Sequence, residues 1–63
     1  MRFPDLPGWV AWVAQDADGV WWGYEAEPHQ HARGWYENEV GRCLRLGAGP
    51  PAPDWRDSLE AVT

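Results

Sequence analysis

The sequence predicts a small α+β domain, mostly β, in which an antiparallel sheet of three or four strands carries a short C-terminal helix. Segments rich in β-branched and aromatic residues flank a strong turn signal, which is typical of a β-hairpin. A length of 63 residues allows one core at most. Six tryptophans, two tyrosines and one phenylalanine supply the large side chains that so small a core needs.

The expected order of elements follows from these signals and from the positions of glycine and proline. We expect an extended lead-in over residues 1–8, the sheet over 9–46, a Gly/Pro-rich connector over 47–53 and a helix over 54–62, all in a single domain. The first hairpin joins a strand from Trp9 to Gln15 to a strand that runs from Val20 towards Glu27. Gly19 should provide the positive φ of its turn.

Side-chain alternation assigns the faces of these strands. On the second strand, the predicted core face consists of Val20, Trp22, Tyr24 and Ala26. The first strand has no clearly polar face, which indicates a central strand covered on both sides. Further along, residues 28–33 form a polar connector, an extended segment restarts at residue 34, and a short strand at 42–46 turns its two leucines, Leu44 and Leu46, inward.

The segment Asp54 to Val62 has the pattern of a helix of about two turns. Asp54 is the expected N-cap, and Trp55, Leu59 and Val62 fall on one face at i, i+4 and i+7. Because isolated helices this short are marginal, Trp55 has to anchor the segment to the sheet. We therefore expect Trp55 to be buried, and strand alternation predicts the same for Trp22. At least one of Trp9, Trp21 and Trp35 should be largely exposed.

Charge and composition limit the classes of function. Five arginines, no lysine and ten carboxylates give a formal net charge of -5, which disfavours direct binding of nucleic acid and favours partners with basic surfaces. The single cysteine, Cys43, excludes an internal disulfide and favours a reducing compartment. The sequence contains neither a signal-peptide pattern nor an apolar run of the roughly 20 residues that a membrane span needs. We expect a protein that is neither exported nor membrane-spanning.

Residue patterns that would carry catalysis or metal binding are incomplete. His29 and His31 share a face if extended, with Glu27 before them, but no second ligand pair accompanies them. Cys43 lacks an orienting third group for a nucleophilic dyad, and is expected to be a small buried side chain or an inert edge thiol. We predict no catalytic residue, no metal ligand and no cofactor, and hence a binding protein that is not an enzyme.

Three acidic pairs at i, i+2 are the most informative polar feature. In extended backbone each pair would point the same way about 6.8 Å apart, so a row of them would imitate a phosphate backbone or steer a basic partner. An ordinary solubilising surface is the alternative. The predicted protein-binding residues are these acids and two tryptophans that would act as anchors: Asp16, Asp18, Glu25, Glu27, Glu37, Glu39, Trp21 and Trp35.

Two segments, WVAQDADGVWWGYEAEP and PDWRDSLE, resemble a family of small bacteriophage and prophage proteins. The matching positions cover about a third of the chain and are Trp12 to Asp16, Gly19, Trp21, Trp22, Glu25, Pro28 and Pro53 to Leu59. The resemblance implies a viral inhibitor of host machinery, of the anti-CRISPR or DNA-mimic type, that blocks a defence or nucleic-acid-handling protein in the host bacterial cytoplasm. The alternatives are an accessory phage protein that acts by self-association, as a small homo-oligomer, and a small carbohydrate-binding module.

Overall fold

Six short strands and one 3-10 turn form the fold of the computed structural model, which describes residues 5–37 and 41–62. Strands β5, β2, β1 and β6 form a four-stranded antiparallel sheet in that order, and β3 pairs with β4. The prediction of a small, mostly β fold is confirmed. The strand bounds are β1 (Trp12–Gln15), β2 (Val20–Tyr24), β3 (His29–Gln30), β4 (Trp35–Tyr36), β5 (Cys43–Ala48) and β6 (Glu60–Ala61).

The β1–β2 hairpin is present where the sequence predicts it, with shorter strands. Gly19 has a φ of +94° and donates its N–H to the Asp16 carbonyl at 3.0 Å. A Cβ at this position would collide with the Gly49 carbonyl oxygen, so the turn requires glycine on two counts. The first strand begins at Trp12, later than predicted, and the second ends at Tyr24 because the backbone bends at the next two residues.

The core lies on both sides of β1, as expected for a central strand. Val13 and Ala14 point to opposite faces and are 1% and 0% exposed. On the Val13 side, a Cβ on Gly23 would approach the Val10 Cγ1 atom to 2.9 Å, so the missing side chain lets Val10 pack directly on β2. Tyr24 is buried on the other side.

The tryptophans are more evenly covered than predicted. Trp55 is buried, which confirms one expectation, but Trp22 is only half-buried. Trp9, Trp21 and Trp35 are half-buried as well, so the prediction that at least one of them is largely exposed is wrong. A sheet of such short strands cannot enclose many large rings completely, and these four half-buried rings therefore keep a part of their surface in solvent.

Strand β5 differs from its predicted orientation because it lies at the edge of the sheet. Leu44 is 37% exposed, so its predicted inward placement is wrong. Leu46 is half-buried, and its Cδ2 would lie 3.6 Å from a Cβ on Gly23. The register shifts between Trp21 and Trp22, which pair with Gly47 and Arg45, and leaves Leu46 as the extra residue of a bulge. The strand also takes the first two residues of the predicted 47–53 connector.

The predicted polar connector over residues 28–33 contains a strand. His29 and Gln30 pair with Tyr36 and Trp35 in a second, two-stranded hairpin, β3–β4. It is closed by a 2.7 Å hydrogen bond from the His31 N–H to the Gly34 carbonyl. Local composition did not indicate this strand because its cross-strand partners carry the apolar side chains.

The predicted helix over 54–62 is a 3-10 turn at Trp55–Asp57 followed by β6. Asp54 makes no side-chain capping bond, so the helix start lacks the interaction that would have favoured it. Instead, β6 pairs with Trp12 and Val13 and covers that edge of β1. Backbone pairing with β1 is thus more favourable for this segment than a short helix, because the first turn of a helix is costly to form.

The predicted lead-in falls partly outside the described residues, which begin at Asp5. The described part forms turns instead of extended chain, with the Val10 N–H bonded to the Pro7 carbonyl at 3.1 Å. No helix in residues 5–37 or 41–62 has the length and hydropathy of a membrane span.

Candidate protein-binding surfaces

Asp16 joins the two hairpins and is not a free surface charge. It follows β1 directly, and its Oδ1 accepts the Trp35 backbone N–H at 2.9 Å. Burial raises the pKa of the Asp16 carboxyl, the nearby Asp18 charge adds to that rise, and the hydrogen bond from Trp35 opposes it. A Cβ on Gly34 would lie 2.7 Å from the same oxygen, so the close approach of the second hairpin depends on this glycine.

Asp18 stabilises the hairpin turn itself. Its Oδ1 accepts the Val20 N–H at 3.0 Å, which is a local side-chain-to-backbone bond common for Asp in turns. Asp16 and Asp18 both lie in the loop between β1 and β2, so the premise that they form a pair on extended backbone is wrong.

Glu25 forms an exposed ion pair at the other end of the hairpin. Its Oε1 accepts the Arg42 backbone N–H at 3.0 Å, and its Oε2 lies 3.2 Å from an Arg42 guanidinium nitrogen. These bonds lower the pKa of the Glu25 carboxyl. The same guanidinium lies 4.5 Å from the centre of the Trp9 ring, so the group is a carboxylate, a guanidinium and an indole in contact.

The remaining predicted acids have different environments. Glu27 is exposed, whereas Glu37 is half-buried and its Oε1 is shielded from solvent. Glu39 lies outside the described residues. Because Glu25 sits in a bend, its i, i+2 relation to Glu27 is not that of a strand either. Of the three predicted pairs, the two that lie wholly within the described residues are therefore not pairs on extended strands, and the Glu37–Glu39 pair falls outside those residues.

Hydrogen bonds and a ring contact hold Trp35 in place. Besides its backbone bond to Asp16, its indole Nε1–H donates to the Gln15 carbonyl at 3.0 Å. Its ring meets the Trp55 ring edge-on at a centroid distance of 6.4 Å. As a binding anchor it would therefore present only part of its ring, in a fixed orientation.

Gln15 is the polar residue that sequence reasoning missed. It is 6% exposed, and its amide Nε2 donates to the Gly19 and Pro50 carbonyls, both at 3.2 Å. Its backbone N–H donates to the Ser58 hydroxyl at 2.7 Å, so the turn, the connector and the C-terminal segment all meet here. The available signal was a lone amide at the end of the apolar run WVAWVAQ.

Trp21 lies in a cleft with acids that the sequence assigned to the helix. This Trp21 cleft is lined by Gln15, Trp21, Ala52, Asp54, Asp57, Ser58 and Glu60. Its three carboxylates belong to Asp54 before the 3-10 turn, Asp57 at the end of that turn and Glu60 in β6, and all three residues are exposed. The C-terminal segment thus places three carboxylates in the same cleft as a half-buried indole, an arrangement suited to a cationic group.

The histidines and the cysteine do not converge on a metal site within the described ranges. His29 and His31 contact Tyr36, with ring centroids 5.8 and 5.3 Å apart. No group of three or more His, Cys, Asp or Glu residues in residues 5–37 and 41–62 could hold a metal ion. Cys43 is an exposed thiol on the edge strand β5.

Comparison of the chain with protein-family models, curated proteins and solved structures found no match.

Proposed function

We propose that this protein is a phage-type inhibitor that binds a basic surface of a host protein and blocks a defence or nucleic-acid-handling function. The observation that carries the proposal is the Trp21 cleft, where three exposed carboxylates surround a half-buried indole. Acidic groups steer a basic partner into contact, and a partly covered aromatic ring provides the apolar anchor of an interface.

The other predicted residues contribute to this function unequally. Asp16, Asp18 and Glu25 are engaged in bonds within the chain, so they support the surface more than they contact a partner. Glu27 is exposed and adds to the negative field. The resemblance to phage proteins and the net charge of -5 favour the same class of partner, a protein whose basic surface normally binds nucleic acid.

The test compares two variants that remove the same amount of charge. Asp57→Asn/Glu60→Gln neutralises the Trp21 cleft, and Asp5→Asn/Glu27→Gln neutralises two exposed acids that do not line it. Each protein is used to capture binding proteins from a bacterial lysate, and the captured protein is then assayed for nucleic-acid binding. We expect wild type and the control to retain a nucleic-acid-binding or defence protein and to compete with its nucleic acid, and the cleft variant to lose both effects.

Salt dependence provides a second measurement on the captured protein. Raising salt should slow association more than it speeds release, because screening acts mainly on electrostatic steering. Equal retention by the two variants would show that the Trp21 cleft is not the contact. A captured protein whose nucleic-acid binding is unaffected would contradict inhibition by competition.

Self-association is the second candidate function, and the exposed edge of β5 favours it. Among residues 5–37 and 41–62, no strand pairs with the outer side of this six-residue strand, which carries exposed Cys43, Leu44 and Arg45. Unpaired strand edges are templates for pairing with a second chain. Light scattering over a range of concentrations distinguishes the two functions: a growing oligomer that Leu44→Lys disperses supports self-association, and a stable monomer contradicts it.

A further inference from the structure

Several oxygen atoms that line the Trp21 cleft hold no bond within the described part of the chain. Three exposed carboxylates line it, and no side chain in residues 5–37 or 41–62 pairs with them: those of Asp54, Asp57 and Glu60. The Ser58 hydroxyl is engaged, since it accepts the Gln15 backbone N–H and lies 2.6 Å from the Trp55 carbonyl oxygen. Carboxylates only accept hydrogen bonds, so a ligand here has to supply the donors.

A buried amide adds a fourth acceptor group to this cleft. Gln15 is 6% exposed, and its Nε2 donates to the Gly19 and Pro50 carbonyls, which fixes the orientation of the amide because a carbonyl oxygen can only accept. Its Oε1 has no donor among residues 5–37 and 41–62 and, unlike the Glu37 Oε1, is not shielded from solvent. Because Gln15 lines the cleft, this oxygen is the polar atom of its side chain that a ligand there can reach.

The spacing of these acceptors favours a ligand whose donors are spread apart. No group of three or more His, Cys, Asp or Glu residues in residues 5–37 and 41–62 could hold a metal ion, so the three carboxylates do not converge on one point. An ammonium presents its three donors around a single nitrogen and also needs acceptors that converge. A guanidinium carries five N–H donors on a planar fork, so it can bond an amide oxygen and a carboxylate that lie apart.

We propose that the Trp21 cleft binds the guanidinium group of an arginine side chain of the host protein, with the Gln15 Oε1 and the exposed carboxylates as its acceptors. The carboxylates supply the opposite charge, and hydrogen bonds from a charged donor are stronger than those between neutral groups. The amide oxygen gives the site its direction, because it lies on a buried side chain that two further bonds hold in place. A guanidinium is also more weakly hydrated than an ammonium and loses less on leaving water.

This inference rests on the proposed function, because it names the chemical group that the basic partner places in the Trp21 cleft. It is tested with a small probe in place of the host protein, so the two can fail separately. Lysate capture that depends on Asp57 and Glu60 without arginine binding would leave the proposed function intact and overturn the arginine contact. Arginine binding without lysate capture would support the guanidinium site and remove the host protein as its source.

The experiment is an NMR titration of the ¹⁵N-labelled protein with a blocked Gly-Arg-Gly peptide. The matched probe is the same peptide with citrulline, which has the shape of arginine but no charge, and a lysine peptide tests the kind of cation. A donor at the Gln15 Oε1 polarises the whole amide group. We therefore expect the Gln15 side-chain amide signals to shift with arginine, to shift much less with lysine and not to shift with citrulline. The side-chain amide of Gln30, which is exposed and does not line the cleft, is the internal reference.

Two double variants that remove the same amount of charge test the carboxylates. Asp57→Asn/Glu60→Gln should weaken arginine binding about tenfold, because it replaces charged acceptors by neutral ones. Asp5→Asn/Glu27→Gln removes two exposed charges outside the cleft and should change the affinity by less than about twofold, because salt screens distant charges. All four positions are exposed, so neither variant empties a buried site.

Several results would overturn the proposal. A Gln15 amide that does not shift with the arginine peptide, or that shifts no more than the Gln30 amide, would show that no guanidinium reaches this oxygen. Equal Gln15 shifts with citrulline would show that charge is not recognised, and equal shifts with lysine would show a general cation site. Equal weakening by the two double variants would show that net charge alone attracts the peptide.

Discussion

At both ends of the β1–β2 hairpin a carboxylate accepts a backbone N–H, but one carboxylate is half-buried and the other is exposed to solvent. At the turn end, formed by Gln15, Asp16 and their contacts, a half-buried carboxylate accepts the Trp35 N–H. At the open end, formed by Trp9, Glu25 and Arg42, an exposed carboxylate accepts the Arg42 N–H and its guanidinium. The pKa of Asp16 is raised and that of Glu25 is lowered.

The difference shows how burial determines what a charged group does for a fold. At the turn end, desolvation outweighs one hydrogen bond, and the carboxylate is useful because it joins two successive hairpins through residues 19 positions apart. At the open end, solvent screens the ion pair, so its contribution to the free energy of unfolding is small even though it makes more bonds. Counting hydrogen bonds alone would therefore assign the open end the larger contribution to the free energy of unfolding, whereas burial assigns it to the turn end.

The largest expected effect compares two tryptophans that both carry an arginine. Trp55→Ala at the turn end should cost roughly 3–5 kcal/mol, because it empties a buried site. Trp9→Ala at the open end should cost under about 2 kcal/mol, because that ring is only half-buried. Denaturant unfolding of both variants measures the difference. Equal losses would mean that the guanidinium contact, and not burial, determines the stability of each ring.

A smaller effect is expected at Asp16, where two substitutions separate its hydrogen bond from its charge. Asp16→Ala leaves the Trp35 N–H without its acceptor and should cost about 1–3 kcal/mol. Asp16→Asn keeps an acceptor and removes the desolvated charge, so it should cost much less. Thermal unfolding compares the two variants, and similar losses would show that the charge itself holds the hairpins together.

The pH dependence of Asp16 has a definite sign. Because its pKa is raised, the folded state keeps the proton at a pH where the unfolded state has lost it. The stability of wild type relative to Asp16→Asn should therefore fall as pH rises from the ordinary carboxyl pKa through the raised one. Unfolding of both proteins across the acidic range checks this. A relative stability that rises with pH would mean that the hydrogen bond outweighs desolvation.

The smallest effect is expected at Glu25. Glu25→Gln should lower the melting temperature by less than Asp16→Ala does, and added salt should reduce the difference further. Since the pKa of Glu25 is lowered, any contribution is present above the ordinary carboxyl pKa and is lost as pH falls through the folded value. If Glu25→Gln lowered the melting temperature as much as Asp16→Ala, or if its effect did not depend on salt, the two carboxylates would not differ in stability as their burial predicts.

The sequence by itself determined those parts of the fold that depend on residues close to one another along the chain. The segment from Trp12 to Tyr24 specifies its hairpin locally, because apolar strands flank a turn whose Gly19 takes a positive φ. The central position of β1 followed from its lack of a polar face, and burial of Val13 and Ala14 confirms it. Burial of Trp55 was likewise predicted correctly, although for a helix that does not form.

Only the tertiary structure decided the C-terminal strand, the role of Gln15 and the grouping of the acids. Residues 54–62 have the apolar spacing of a helix, but the free edge of β1 offers backbone bonds that a two-turn helix cannot match. Gln15 and Asp16 acquire their partners from residues up to 43 positions away, and no local pattern encodes such distances. The Trp21 cleft exists for the same reason, since it is lined by side chains from segments that only the folded sheet brings together.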